Sequence, residues 1–388
     1  MSPGPYDRCV LTPDDFEAAG VYDPASPNAS SRLELLNWLV EQGFTIEQMA
    51  ATRRGQGLDA LSGGDILIVP GPLRTRAEAV ERSGLSPDRL DAYATAFGLT
   101  PLGFSPPGEI GITDAEADVF ASMGAIGDAT GLFSEAEVLS LLRVLGSSLG
   151  RIADTALSLF LTDVESPHRQ SGGAELPLTK KVFEAVSLLD GFMPTLDPMF
   201  RRLLLQAIER TRRATIGPVE RLQYRYAVGF VDLVGFTAIS GLMSSTELSS
   251  FLRDFEGRAY DAVNTAGARV VKLIGDEVMF VATNADAACR AAEALMSGFD
   301  SDGEGSGVVL PRGGIAFGEM LVRGGDYYGS VVNLAARLTD QAVPGELLVT
   351  EELADAATRC TFEPAGRRVM KGFAEPVPVR SLVSTAPN

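Results

Sequence analysis

The sequence predicts an α+β chain in two parts, an all-α segment over residues 1–215 followed by a sheet on a split βαβ plan over residues 216–388. Three observations predict it. From about Arg32 to Arg213 apolar residues recur at spacings of three and four, as in Leu33, Leu36, Leu39 and Val40, then Leu139, Leu142, Leu145 and Leu149. That is the period of helices that bury one side. Beyond Tyr226 the texture changes to short β-branched runs alternating with helical stretches. Between the two, Gly217 and Pro218 break the last helix of the first part.

In the helical part, Thr75 to Leu90 reads as a helix, a glycine turn and a capped second helix, the order of a helix-turn-helix. DNA reading needs a basic recognition face, and Asp88 and Asp91 oppose one, so a helical hairpin inside an α bundle is the better reading. Ser134 followed by Glu137 makes a capping box. His168, the single histidine, follows Ser166-Pro167 and reads as an exposed loop residue. Asp197 before Pro198 reads as an N-cap, with its helix running to about Arg213.

In the second part, AVGFVDLV gives a strand, Thr246 to about Thr265 a helix, and ARVVKLI and EVMFVA two strands joined at a tight turn. A helix from Ala285 and a strand near Gly313 to Phe317 complete the plan, and Asp300 to Gly307 reads as a surface connection.

Bulk properties bound the function. The net charge of −18 and pI near 4.6 exclude a body-wide attraction to nucleic acid or anionic membrane. Cys9, Cys289 and Cys360 are odd in number and lack metal-type spacing, which fits a reducing compartment and predicts a cytoplasmic protein. The N-terminus lacks a signal-peptide pattern, and no apolar run reaches the roughly 18 residues needed to cross a bilayer, so no transmembrane segment is expected.

Two segments carry chemistry. In Phe230-Val231-Asp232-Leu233-Val234-Gly235-Phe236-Thr237, Asp232 ends an apolar strand, where a carboxylate is costly unless paired or metal-bound. Alone, it is equally a strand-end residue or a cap for the next turn. In Val270-Val271-Lys272-Leu273-Ile274-Gly275-Asp276-Glu277, Asp276 sits at a hairpin tip, a position that Gly-Asp also fills for purely structural reasons. In a split βαβ sheet the first strand and this hairpin are neighbours, so Asp232 and Asp276 can converge. Two such carboxylates suit hard divalent cations, and with them a two-metal phosphoryl-transfer centre.

These two segments resemble the metal-binding signatures of class III adenylate cyclases. The segment Gly325-Asp326-Tyr327-Tyr328-Gly329-Ser330-Val331-Val332-Asn333-Leu334-Ala335-Ala336-Arg337 resembles a third motif of that family, and Val369-Met370-Lys371-Gly372-Phe373 its closing lysine-glycine element. The resemblance runs from about Tyr226 to Val383 with the motifs in order. It implies a ferredoxin-like (split βαβ) catalytic domain, making cyclic AMP and pyrophosphate from ATP with two Mg²⁺ or Mn²⁺ ions per active site. Asp232 and Asp276 would hold the metals, with the Leu233 carbonyl as a further ligand. Gly235, Phe236 and Thr237 would offer backbone N–H groups to the triphosphate. Lys272 and Asp326 would read adenine, Asn333 would orient the ribose, Arg337 would meet transition-state charge, and Lys371 would hold the β- and γ-phosphates. Outside such a motif set, Lys272 is a solvated strand residue, Asp326 a turn former, and Asn333 with Arg337 a polar helix stripe.

In this family the two sets of residues come from different catalytic domains, so the resemblance implies a head-to-tail homodimer with two shared sites. The N-terminal part resembles the helical regulatory domain of the pH-sensitive mycobacterial-type cyclases. It implies a dimerising, regulating domain, coupled through Pro198 to Tyr226 and answering to a proton. The leucine-rich composition of this half separately permits a second reading, lipid sensing in an apolar cavity. Three rivals follow: a guanylate cyclase, opposed by Lys272 with Asp326; a diguanylate cyclase, opposed by IGDEV at the hairpin; and a non-catalytic nucleotide-binding or transcription-regulating module, opposed by the intact motif set.

Overall fold

The computed structural model describes residues 11–52, 74–99, 112–131, 133–170, 175–214, 223–299 and 310–385. The chain divides into two compact units between Met199 and Phe200. Residues 215–222 of the Pro198 to Tyr226 connection, the loop at 300–307 and Cys9 lie outside the described residues.

The first unit is helical: α1 (Pro13–Ala18), α2 (Ala29–Glu41), α3 (Ile46–Thr52), α4 (Arg76–Ser83), α5 (Pro87–Phe97), α6 (Asp114–Thr130), α7 (Glu135–Phe160), α8 (Ser166–Gln170), α9 (Glu175–Phe192) and the start of α10 (Leu196–Ala214). Phe16, Leu35, Leu36, Leu39 and Met49 form one core, extended by Trp38 edge-on to Phe183 of α9. Leu90, Tyr93, Phe120, Val138 and Leu142 form another. The capping box expected at Ser134 and Glu137 is present, and Thr75 and Thr113 each close one with the glutamate three residues on. Helix α4 ends on Gly84, whose φ of +67° is the left-handed conformation that lets the chain turn into α5.

The helix-turn-helix expectation is met in shape only. Arg76 pairs with Asp91, Arg82 with Asp118, Arg89 with Glu135 and Arg74 with Asp114, so the basic side chains are spent on internal ion pairs. A DNA-reading face would need them free to meet phosphate.

Two local readings need correction. His168 lies in α8, not a loop, and is half-buried. Pro167 is accommodated there directly after a π-helical turn (Leu161–Glu165) that joins α7 to α8, where the regular i to i−4 hydrogen-bond ladder is already interrupted. Asp197 is inside α10 rather than capping it, because a short 3₁₀ turn at Met193–Thr195 carries the chain from α9 into α10 without a break. The continuous helix Glu135–His168 is also long and apolar enough, by length and composition alone, to cross a membrane. The sequence reading missed it because its apolar residues are interspersed with serine and charged groups. Along it Leu141, Leu149, Ile152, Leu157, Leu159 and Leu161 are exposed.

The second unit begins within α10, whose terminal Ala214 is buried with Tyr226 and Val228 of the sheet. Its remaining elements are β1 (Gln223–Leu233), α11 (Phe236–Ser240), α12 (Ser245–Thr265), β2 (Arg269–Ile274), β3 (Glu277–Ala282), α13 (Ala285–Phe299), β4 (Pro311–Arg323), β5 (Asp326–Tyr328), α14 (Ser330–Gln341), β6 (Leu347–Thr350), α15 (Glu351–Ala356), β7 (Cys360–Arg368) and β8 (Val377–Thr385). This is the expected split βαβ plan, β1 to β4, with four strands added. The strand order is β2-β3-β1-β4-β6-β8-β7, with β5 paired to β4.

Alternation along the strands gives the sheet two unlike faces. Val231, Val278, Phe280 and Ile315 pack beneath α12 and α13. Phe230, Met279 and Ala316 point the other way, towards Ala335 of α14. Helix α14 lies close on β4 because position 314 is glycine: a Cβ there would stand 2.5 Å from the Thr339 nitrogen and 2.6 Å from the Ala335 carbonyl oxygen. No side chain fits that gap.

Candidate active site

Register places the site. Asp232, the penultimate residue of β1, pairs with Glu277 of β3 on one side and Arg312 of β4 on the other. Directly opposed residues share a sheet face, so all three stand with Phe230 on the face that α14 partly covers. Lys272 joins them there, being paired with Met279, which is paired in turn with Phe230. The polar residues singled out along β1 and β2 thus share one face.

At the end of β1 the chain turns through Gly235, whose φ of +91° favours glycine, into α11. The Phe236 ring is buried and stacks on Phe251, which leaves only its backbone for a ligand. Leu233 has its side chain in the core beneath α12 and α13, so a carbonyl role is the one open to it.

Asp276, in the β2–β3 turn, comes within hydrogen-bonding reach of Asp232. Burial raises its pKa, opposed by its own backbone N–H and reinforced by the Asp232 carboxylate. Glu277 is pushed up to about 7, first by burial and then by Asp232, Asp340 and Asp276. Arg312 opposes both shifts: its Nε and Nη2 donate to Asp232 Oδ2 at 3.1 and 2.9 Å, and its Nη1 donates to the Asp340 carbonyl at 3.3 Å. Carboxylates crowded until they resist ionising make a place where added positive charge is favourable.

The donor set fits a hard divalent cation. Among the described residues no three Cys, His, Asp or Glu side chains are arranged to hold an ion unaided. Two carboxylates with the balance supplied by water and substrate phosphates is how Mg²⁺ is ordinarily held.

Lys272 and Asp326 are brought together from β2 and β5, with Nζ donating to Oδ2 at 2.5 Å. Burial works to raise Asp326, but the Lys272 hydrogen bond, the Tyr327 N–H and the charges of Lys272 and Arg269 together hold it below the usual carboxylate value. Asn333 and Arg337 lie four residues apart on the exposed side of α14, opposite the buried Ala335, Leu338 and Thr339. Lys371 is exposed in the turn between β7 and β8. Among the described residues neither Asn333 nor Lys371 is bonded to the Asp232 cluster, so one chain does not join all the predicted positions.

Arg312 is the residue that sequence reasoning missed. Its signal was a charge directly before the apolar, glycine-containing stretch Gly313 to Gly318, and its meaning depends on a register linking residues 80 positions apart.

Comparison with known proteins supplies the rest. Residues 15–211 match the family model described as the adenylate cyclase regulatory domain. An uncharacterized protein of Mycobacterium bovis is 32% identical over 94% of this chain and 92% of its own length. A Streptomyces coelicolor protein named adenylate cyclase is 31% identical over 75% of this chain and 73% of its own. A Mycobacterium tuberculosis protein named pH-sensitive adenylate cyclase is 28% identical over 84% and 80%. Among solved structures, the adenylyl cyclase CyaB from P. aeruginosa matches 42% of this chain and 96% of its own, at 23% identity and a TM-score of 0.36.

Proposed function

Since the chain belongs to the adenylate cyclase family and carries that family's regulatory domain over residues 15–211, we propose that it converts ATP to 3′,5′-cyclic AMP and pyrophosphate in a site shared by two copies. The observation that carries this reading is the approach of Asp276, in the β2–β3 turn, to Asp232, crowded by Glu277 and balanced by Arg312.

Asp232, Asp276 and the Leu233 carbonyl would hold two Mg²⁺ or Mn²⁺ ions, which when bound acidify the ribose 3′-hydroxyl and offset triphosphate charge. The backbone N–H groups of Gly235, Phe236 and Thr237 would face the phosphates. From the second copy, Lys272 donates to adenine N1 while Asp326 accepts from the 6-amino group. Guanine presents the reverse pattern at these positions, which would leave both groups wrongly paired and favours ATP over GTP. Asn333 orients the ribose for in-line attack on the α-phosphorus. Arg337 meets the charge that grows on the α-phosphoryl oxygens, and Lys371 holds the β- and γ-phosphates as they leave.

The exposure of two side chains supports this division of labour. Asn333 and Arg337 lie on the exposed side of α14, open to a second sheet that would bring Asp232 and Asp276 to the same phosphate. The helical unit would regulate this pairing, with a proton or a lipid as the effector class.

Incubating the full-length protein with ATP or GTP and Mn²⁺ tests the reading. Cyclic AMP formation that disappears in Asp232→Ala supports it. Cyclic GMP as the main product overturns the base assignment, and no cyclic nucleotide from either substrate overturns the enzyme reading.

A further inference from the structure

We propose that Asp340 is a positioning residue for Arg337, an inference that rests on the cyclase reading above. Arg337 Nη1 donates to Asp340 Oδ2 at 2.8 Å, three residues along α14. The pair is 44% and 56% exposed, so as a contribution to stability it counts for little. Its consequence is orientation. Among the described residues the guanidinium is gripped at one terminal nitrogen, which leaves the Nε and Nη2 edge, a planar pair of donors, to meet phosphoryl oxygens.

Asp340 is poorly placed for any purpose internal to the helix. It is the last residue but one of α14, where a carboxylate faces the negative end of the helix dipole. An acidic group C-terminal to its basic partner is also the weaker order for such a pair. Its charge further crowds Glu277. Removing it should therefore leave the fold as stable as before, or more so.

The residue is itself held in place. Its carbonyl accepts from Arg312 Nη1, and Arg312 grips Asp232 through Nε and Nη2. Beside it Thr339 is buried with its hydroxyl within 3.3 Å of the Phe230 carbonyl, and Gly314 lets the helix sit hard on β4. The end of α14 is thus fixed to the strands that carry Asp232, and Asp340 passes that fixity to a long side chain that would otherwise sample many rotamers. A catalytic group ordered before substrate arrives acts on the turnover step rather than on ground-state binding.

The test compares wild type, Arg337→Ala, Asp340→Ala and Asp340→Asn as full-length proteins, measuring kcat, KM for ATP and Tm. Asp340→Ala should lower kcat by about fivefold to twentyfold, with KM within about twofold and Tm unchanged or raised. Asp340→Asn, which keeps an acceptor oxygen, should recover part of the loss. Wild-type kcat in Asp340→Ala overturns the proposal, as does a loss matched by a fall in Tm or carried entirely by KM. An inactive Arg337→Ala beside a fully active Asp340→Ala removes this inference alone. An Arg337→Ala protein with wild-type kcat removes the cyclase assignment of Arg337 and this inference with it.

Discussion

At the scale of single residues the site is defined by charge that its neighbours cannot neutralise. Glu277 has an ordinary value of 4.5 and is pushed up to about 7 in the fold, so the native state binds its proton more tightly than the unfolded chain does. By linkage its ionisation costs stability: the penalty is absent below about pH 4.5, grows as pH rises towards 7, and is complete above. Partial exposure screens it, and about 1–2 kcal/mol is the expected size. In metal-free buffer, the stability of wild type measured by chemical denaturation should fall between pH 5 and 8 relative to Glu277→Gln. Parallel pH profiles for the two would contradict the assignment. If Lys272 and Asp326 read the base as proposed, Lys272→Ala should lower kcat/KM for ATP by about 100-fold, because Asp326 is left without the group that pairs with it. Unchanged kinetics would return Lys272 to being a solvated strand residue.

At the scale of elements, most of the architecture was legible and the exceptions have identifiable causes. The Ser134 and Glu137 capping box, the Thr75 to Leu90 helical pair and the β1-α-β2-β3-α-β4 order follow from local signals, since each is settled within a few residues. His168 was misplaced because Pro167 reads as a break, whereas here it follows a π-helical turn that already relaxes the hydrogen-bond ladder and lets the helix run on. Arg312 and Asp340 were not legible because their partners lie across strand register or depend on a rotamer, neither of which a linear pattern encodes. Close backbone approach was equally hidden. At Gly146, in α7, an added Cβ would fall 1.8 Å from the Phe97 carbonyl oxygen at the end of α5. Backbone cannot yield there as a side-chain tip can. Gly146→Ala should therefore destabilise the helical unit by about 1–3 kcal/mol in chemical denaturation. A loss below about 0.5 kcal/mol would show that the two helices separate without penalty.

At the scale of the whole molecule, what one chain leaves exposed is what a second copy would use. Asn333 and Arg337 are exposed in the catalytic unit, and Leu149, Ile152 and Leu157 are exposed apolar residues of the Glu135–His168 helix. Replacing Leu149 and Ile152 by glutamate should shift the protein towards monomer in sedimentation and lower its specific activity at dilute concentration, since a partner surface of that kind is depleted in charge. An unchanged dimer would place the contact elsewhere. The shared site itself is reached most directly by mixing two inactive proteins, Asp232→Ala and Arg337→Ala, and measuring cyclic AMP from ATP with Mn²⁺. Each alone should be inactive, and the exchanged mixture should regain up to about a quarter of wild-type activity, since half the dimers are mixed and each has one intact site. A mixture that stays inactive after subunit exchange has been confirmed would contradict a site built from two chains.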